Sequence, residues 1–322
     1  MGRITPPPPR LRKNLDLEKI HFWVTSFERP EVCKKTVEAL LALHPGARVT
    51  IADDSRNPRV INSLVDCLPE NVDGCYFDFD AGISRKRNRA WKHTDRPFVV
   101  FMDDDNLVDG KTRFDHMYTL LNAYEDLAVV GQCKHDLGRN RWANTEGRFR
   151  IMPARQGKIN LKTIKPDRDG LRTYPFHNGQ TTDDIKFFYV DVVPLCCMVK
   201  REVLEIVDWD ERYKTCGEHF DFFLRLAVAN GKKKLVDHLG RRIRDETDPD
   251  DAPKFPEMIN HGKLLVAFLP LSEFVDTAER PEDYKPARRR GTSFRKRMKQ
   301  RWDFAGIHTW NSAVTYRYDY GL

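Results

Sequence analysis

The chain has no apolar run near the roughly 20 residues that a helix needs to span a bilayer. Its longest candidate, "LLVAFLPL" at Leu264–Leu271, is interrupted by Pro270, which excludes a helical membrane bundle. Also missing is an apolar segment behind the basic opening "MGRITPPPPRLRKN", so nothing there reads as a secretory leader. Its prolines imply a flexible lead-in over residues 1–19. Met1 and Gly2 open like a myristoylation signal, but Pro6 stands where that pattern wants Ser or Thr. The seven cysteines include no CxxC pair and no zinc spacing. A disulfide framework and a zinc module are thereby disfavoured, and a reducing cytoplasm fits best. Cys196 and Cys197 adjoin inside an apolar run and read as small buried hydrophobes. No internal repeat is present.

Charge is abundant but unevenly placed. Of the net +7, nine Lys or Arg and no acid fall between Lys285 and Arg301; subtracting them leaves the rest of the chain at −2. Basicity therefore belongs to a C-terminal extension over 285–322 and not to the domain before it. Within that extension Phe294, Met298 and Trp302 recur every four residues, which predicts an apolar stripe on a basic helix. Such a stripe can fold back onto the domain, lie on an anionic membrane, or set its charges along nucleic acid phosphates through 285–302.

Apolar segments alternate with helical periodicity from residue 20 onward. "KIHFWVTSF" reads as a strand and "RPEVCKKTVEALLAL" as a helix; "RVTIADDS" and "INSLVDCL" repeat the pair. "GCYFDFD" and the basic "GISRKRNRAWKH", with Ser84 as a candidate N-cap, form a third pair, and "PFVVFMDDDN" is the fourth strand. This order predicts right-handed crossovers in an α/β fold, a mostly parallel sheet flanked by helices. Ligands of such sheets bind at the carboxyl ends of strands, where Thr25-Ser26, Asp53-Asp54 and Asp103-Asp104-Asp105 all fall. Three adjacent carboxylates repel one another unless something positive sits among them, so the run is either a solvated turn or a cation site.

Beyond "AVVGQC" the pattern weakens. Residues 134–186 predict long loops over a site, with Trp142 and Tyr174 as candidate sugar-stacking aromatics. "FFYVDVVPLCCMVKREVLEIV" then reads as a strand and short helix. "EHFDFFLRLAVANG" reads as a helix with Phe220, Phe223, Leu224 and Ala227 on one face.

The ordered series "VTSFERPE", "IADDS", "GISRKRNRAW", "VVFMDDDN" and "CGEHFDFF", spanning about Ile20 to Gly231, resembles inverting, nucleotide-sugar-dependent glycosyltransferases of the GT-A fold, family 2 in type. The resemblance implies a domain over 20–284, with a nucleotide-sugar half (20–131) and an acceptor half (132–284). It implies a nucleoside diphosphate sugar as donor and a divalent metal, Mn²⁺ or Mg²⁺, held by Asp103 and Asp105, with Asp104 toward the sugar. Thr25, Ser26 and Asp53 would line the nucleotide pocket, and Arg87 and Asn88 would lie near the diphosphate. Relatives carry Glu-Asp where this chain has Glu218-His219, so Asp221, Glu218 and His219 are all candidates for the base, Asp221 foremost. His238 is a candidate third metal ligand, and "GRRIRD" or the 134–186 region a candidate diphosphate clamp. The expected acceptor is a hydroxyl on a glycan or glycolipid. The alternatives are a hydroxymethylated base in DNA, and a non-catalytic protein that binds a nucleotide sugar or glycan. Peripheral association with a membrane or with DNA is compatible with each enzymatic reading.

Overall fold

A computed structural model describes residues 15–137, 141–143, 147–152, 159–164, 168–176, 184–232, 264–277, 302 and 304–308. Strand β1 (Ile20–Ser26) is buried along its whole length, with Phe22 and Val24 on one face and Trp23 on the other. Parallel strands covered on both faces need continuous apolar runs of this sort. β1 pairs in parallel with β2 (Arg48–Asp53) on one side and β4 (Phe98–Asp103) on the other, and β2 with β3 (Val72–Tyr76). Helices α1 (Pro30–Leu43), α2 (Pro58–Asp66) and α3 (Ile83–His93) make the crossovers. Both α1 and α2 open with proline at the first helical turn, where its missing N–H costs nothing.

The other half of the sheet is mixed. Its further strands are β6 (Leu127–Asp136), β10 (Leu171–Pro175), β11 (Asp184–Val190), β12 (Cys197–Lys200) and β13 (Leu265–Asp276), with short β5 (Asn106–Leu107) on β13 and β7 (Arg141–Ala143) on β6, while β8 (Arg148–Met152) and β9 (Ile159–Ile164) belong to a separate small sheet. The order is β10-β11-β13-β6-β12-β4-β1-β2-β3. β12 runs antiparallel to both β4 and β6, whereas β13 lies parallel to β6. The "FFYV…CCMV" segment is thus two strands and not one, broken at Val193-Pro194 and by the left-handed backbone of Cys196 (φ 77°). The 134–186 region likewise contains short strands, among them Arg148–Met152 and Ile159–Ile164, which pair with each other. Tyr174 is buried edge-on against Tyr124.

Two apolar cores result. Helices α1, α2 and α4 (Phe114–Ala123) cover Phe22, Val24, Val100 and Met102 on one face. On the other, α5 (Arg201–Ile206) and α6 (Glu218–Ala229) pack with Trp23, Val99 and Phe101. α6 is buried on nearly every side, with Asp221 and Arg225 among its buried residues. Trp302, at the end of the basic run, is buried in this same core; Phe294 and Met298 lie outside the described residues.

Candidate active site

The carboxyl ends of β1, β2 and β4 meet at one cavity, whose lining includes Thr25, Ser26, Asp54, Asp103, Asp104, Asp105 and Glu218. The "DDDN" run is a braced turn. The Asp103 N–H donates to Asn106 Oδ1 at 2.9 Å, the Asp104 N–H to the Thr25 carbonyl at 3.1 Å, and the Thr277 N–H to the Asp105 carbonyl at 3.1 Å. Each aspartate is therefore aimed by the sheet.

The positive charge that three adjacent carboxylates require comes chiefly from Arg29, in the turn after β1. Its Nε donates to Asp104 Oδ2 at 3.1 Å and its Nη1 to Asp105 Oδ2 at 2.9 Å, and Nη2 closes a second bond on Asp104. Burial pushes the Asp104 carboxyl up to about 7, against the pull of the Arg29 guanidinium. Asp105 is raised in the same way. Asp104, 1% exposed and forked onto Arg29, anchors the turn to the α1 side while also lining the cavity. Asp103 is the most open of the three, its side chain 27% exposed, and its Oδ1 accepts from Thr25 Oγ1 at 3.1 Å and Arg87 Nη2 at 2.9 Å.

Arg87 joins this rim to the start of α6. Its Nη1 donates to Glu218 Oε1 at 3.3 Å, and its guanidinium lies 4.7 Å over the Trp209 ring. Trp209 in turn stacks on Phe222 at 4.2 Å. Arg87 is 1% exposed, so it works from beneath the cavity. α6 starts from two successive left-handed residues, Cys216 (φ 65°) and Gly217 (φ 90°). The first is a strained choice for a residue with a Cβ. Gly82 (φ 96°), which caps α3 in place of Ser84, lies so close to Lys214 that a Cβ would approach its Cα to 2.7 Å. Ser84 is engaged elsewhere, its Oγ donating to the Tyr213 carbonyl at 2.8 Å.

The two carboxylates of α6 part company. Glu218 lines the cavity, and its Oε2, shielded from solvent, makes no hydrogen bond among the described residues. Asp221 sits one turn deeper, fully buried, with Oδ1 accepting from Trp302 Nε1 at 2.7 Å. Burial pushes the Asp221 carboxyl up to about 6, with the Trp302 hydrogen bond pulling the other way. His219 points between Phe220 and Phe223. Burial, and then the neighbouring Arg87 charge, lower it to about 3 and keep the imidazole neutral. Neither Asp221 nor His219 reaches the cavity lining.

Two other expected residues, Asp53 and Asn88, do not line this cavity. Asp53 closes a local turn, accepting from the Ser55 N–H and Oγ, both at 2.9 Å, while its neighbour Asp54 lines the cavity and holds Lys86. Asn88 brackets the backbone of Trp209, donating to its carbonyl at 2.8 Å and accepting from its N–H at 2.7 Å. It tethers α3 to the loop before α6 and lies off the cavity. His238 and "GRRIRD" fall outside the described residues, as does the Trp142 side chain. Sequence reasoning missed Arg29, Lys86, Lys134 and Asp276. The demand for a cation among the three aspartates was the signal for Arg29. Asp276, ion-paired with Lys134, reaches the rim from the end of β13, far along the chain, and nothing local marks it.

Seven carboxylates and four cationic side chains line the cavity. That excess of negative charge, with Asp103 and Asp105 at alternate positions of one turn, fits a divalent cation. Among the described residues no group of three or more His, Cys, Asp or Glu is placed to hold a metal ion, so a cation here would rest on Asp103 and Asp105 alone. An open site of that kind suits Mg²⁺ or Mn²⁺, which take one or two carboxylates and complete their shell with substrate oxygens and water.

A family model described as glycosyl transferase family 2 matches residues 22–205, from the third residue of β1 into α5. The chain belongs to that family. The matched residues of this family 2 protein include the acidic rim, Arg29 and Arg87, and stop short of α6. Mouse beta-1,4 N-acetylgalactosaminyltransferase 2 is 29% identical over 126 residues, covering 39% of this chain and 22% of that relative. The chain therefore spans only about a fifth of that protein's length. A crystal structure of S. aureus TarS 1–349 is 14% identical with a TM-score of 0.45, over 86% of this chain and 65% of that one. The same fragment in complex with UDP gives 14% and 0.42, over 64% and 54%.

Proposed function

We propose that the protein transfers a sugar, with inversion, from a nucleoside diphosphate sugar to an acceptor hydroxyl, with Glu218 as the general base. The observation that carries this reading is the Glu218 carboxylate. One oxygen is oriented by Arg87, the guanidinium that also holds Asp103, and the other makes no hydrogen bond among the described residues, on a side chain that lines the cavity where Asp221 does not. A base needs one oxygen available within hydrogen-bond reach of the proton it takes. As the acceptor oxygen bonds to the anomeric carbon, its proton passes to Glu218 and the bond to the diphosphate oxygen breaks on the opposite face.

The cavity encloses about 180 Å³, below the roughly 300–1,000 Å³ of a complete small-molecule site, so it suits the diphosphate end of the donor. Asp103 and Asp105 would hold a divalent cation there, which when bound neutralises charge that grows on the departing diphosphate. Lys214 faces the same cavity from an exposed loop. Its Nζ rests on the Asp80 carbonyl at 2.7 Å, a weak hold that a phosphate can outcompete. The relative named as an N-acetylgalactosaminyltransferase makes UDP-N-acetylgalactosamine the first donor to try, and a glycan or glycolipid hydroxyl the first acceptor.

The test is release of nucleotide from a panel of UDP, GDP, TDP and CMP sugars with Mn²⁺. Metal-dependent release that a chelator abolishes, and that Asp105→Ala and Glu218→Gln lose, is the expected result. Tight donor binding with no release from any sugar overturns the catalytic reading in favour of a binding protein.

A further inference from the structure

The transfer reaction as described makes no use of Trp302, yet this residue is among the largest fully buried side chains in the molecule. It follows directly on the basic run ending at Arg301 and lies 81 positions from its partner. An indole N–H can only donate, and a buried Trp almost always finds an acceptor for it. Here the acceptor is Asp221 Oδ1 at 2.7 Å, on the first turn of the helix that begins with Glu218. The Asp221 N–H bonds back to the Gly217 carbonyl at 3.0 Å, and Gly217 and Cys216 before it are both left-handed. Glu218 itself is held by one long contact, 3.3 Å to Arg87. One turn on, Arg225 is fastened to Asp208, by its carbonyl at 2.7 Å and by its carboxylate at 2.6 Å. The roll of α6 about its axis is thus fixed at its second turn by Arg225. At its first turn the short bond is the one from Trp302.

We propose that Trp302 is a positioning residue for the transfer reaction: its indole N–H, bonded to Asp221, sets the roll of α6 so that Glu218 meets the cavity. The inference rests on the assignment of Glu218 as base. It gives the C-terminal extension a part in the site, with Asp221 as the anchor and not the proton acceptor.

The test uses the full chain and the Mn²⁺-dependent hydrolysis of whichever donor the wild type turns over. Trp302→Phe keeps the ring in the core and removes the donor. Because displacements of a catalytic group near 1 Å cost up to about 100-fold, kcat is expected to fall about 10-fold or more. Donor KM should stay within about 2-fold, since the carboxyl ends of β1 to β4 are untouched. Asp221→Asn keeps an acceptor oxygen for the indole and should retain kcat within about 3-fold, while Asp221→Leu should lose it as Trp302→Phe does. A folded Trp302→Phe with wild-type kcat overturns the proposal, as does a loss carried by donor KM. A 100-fold loss in Asp221→Asn also overturns it, by marking the charge as catalytic. Hydrogen exchange separates this idea from the functional reading. Even if the wild type releases no nucleotide, Trp302→Phe should raise exchange at the amides of 218–222 and leave α3 unchanged. Uniform change across both helices, or none, sinks the positioning role.

Discussion

Strands β2 and β4 run into carboxylates already held by cations, whereas α6 begins with a carboxylate that keeps one oxygen unengaged among the described residues. Asp54 holds Lys86, Asp104 and Asp105 share Arg29, and Asp103 takes Arg87 and Thr25. Buried charges survive only when paired, because desolvating an isolated ion costs several kcal/mol. The strand ends are consequently rigid and pre-oriented, as a surface that binds a diphosphate and a metal must be. A base has the opposite requirement. It must be aimed from one side and available on the other, which is what a single contact to Arg87 leaves Glu218.

That contrast can be broken most sharply at Glu218. Glu218→Gln keeps the shape and the Arg87 contact but removes the proton acceptor, so kcat should fall about 10²–10⁴-fold with folding intact, read by steady-state kinetics and thermal melting. A variant retaining a tenth of wild-type activity would move the base elsewhere. Arg29→Met tests the other side. It strands Asp104 and Asp105 in the interior, and unfolding free energy should drop by about 3–5 kcal/mol in urea titration. If stability is unchanged, the rim is not held together by this pair.

The far ends of the same strands sharpen the comparison. His21, buried on β1, bonds Thr50 Oγ1 at 2.8 Å beside Asp73, and burial lowers it to about 4. Its folded pKa lies below the unfolded value near 6.5, so between those values the unfolded chain binds more protons. The stabilisation from a neutral His21 is therefore complete above pH 6.5 and is lost as pH falls toward 4, about 3 kcal/mol in all. His21→Gln should remove that part of the acid sensitivity, measured as the difference between the two proteins' urea midpoints across the window. The smallest effect is expected at Asn88, which tethers Trp209 and donates to Glu211 Oε1 at 3.0 Å. Asn88→Ala should cost about 1–2 kcal/mol of stability and leave donor KM unchanged. A large rise in donor KM would restore Asn88 to the diphosphate.

Much of the first half of the sheet was legible because its signals are local. Each strand and helix from Ile20 to Asp103 declares itself by periodicity, and the acids at the ends of β2 and β4 mark the rim. Less was legible where one segment serves two neighbours. "FFYVDVVPLCCMV" has the composition of a single long strand, and the break at Pro194 and Cys196 depends on β12 being drawn between β4 and β6. Side-chain direction was the least legible quantity. Glu218 and Asp221 stand three apart, a spacing that puts helical residues on one face; the packing of α6 on nearly all sides sends one to the cavity and the other to Trp302. Residue type could not tell Arg87 from Asn88, or Asp53 from Asp54, since each adjacent pair is divided between the cavity and a neighbouring segment by the sheet's pleat or the helix's rotation.

By itself, the order of residues determined the α/β alternation, the acidic rim at the carboxyl ends of β2 and β4, and the family, since each depends on composition and spacing within a few tens of positions. Only the tertiary structure decided which carboxylate is neutralised and which left open. That depends on distances between groups far apart in the chain, Arg29 from Asp104, Arg87 from Glu218, Trp302 from Asp221, and an ion pair or a hydrogen bond exists only when folding brings its members within about 3 Å.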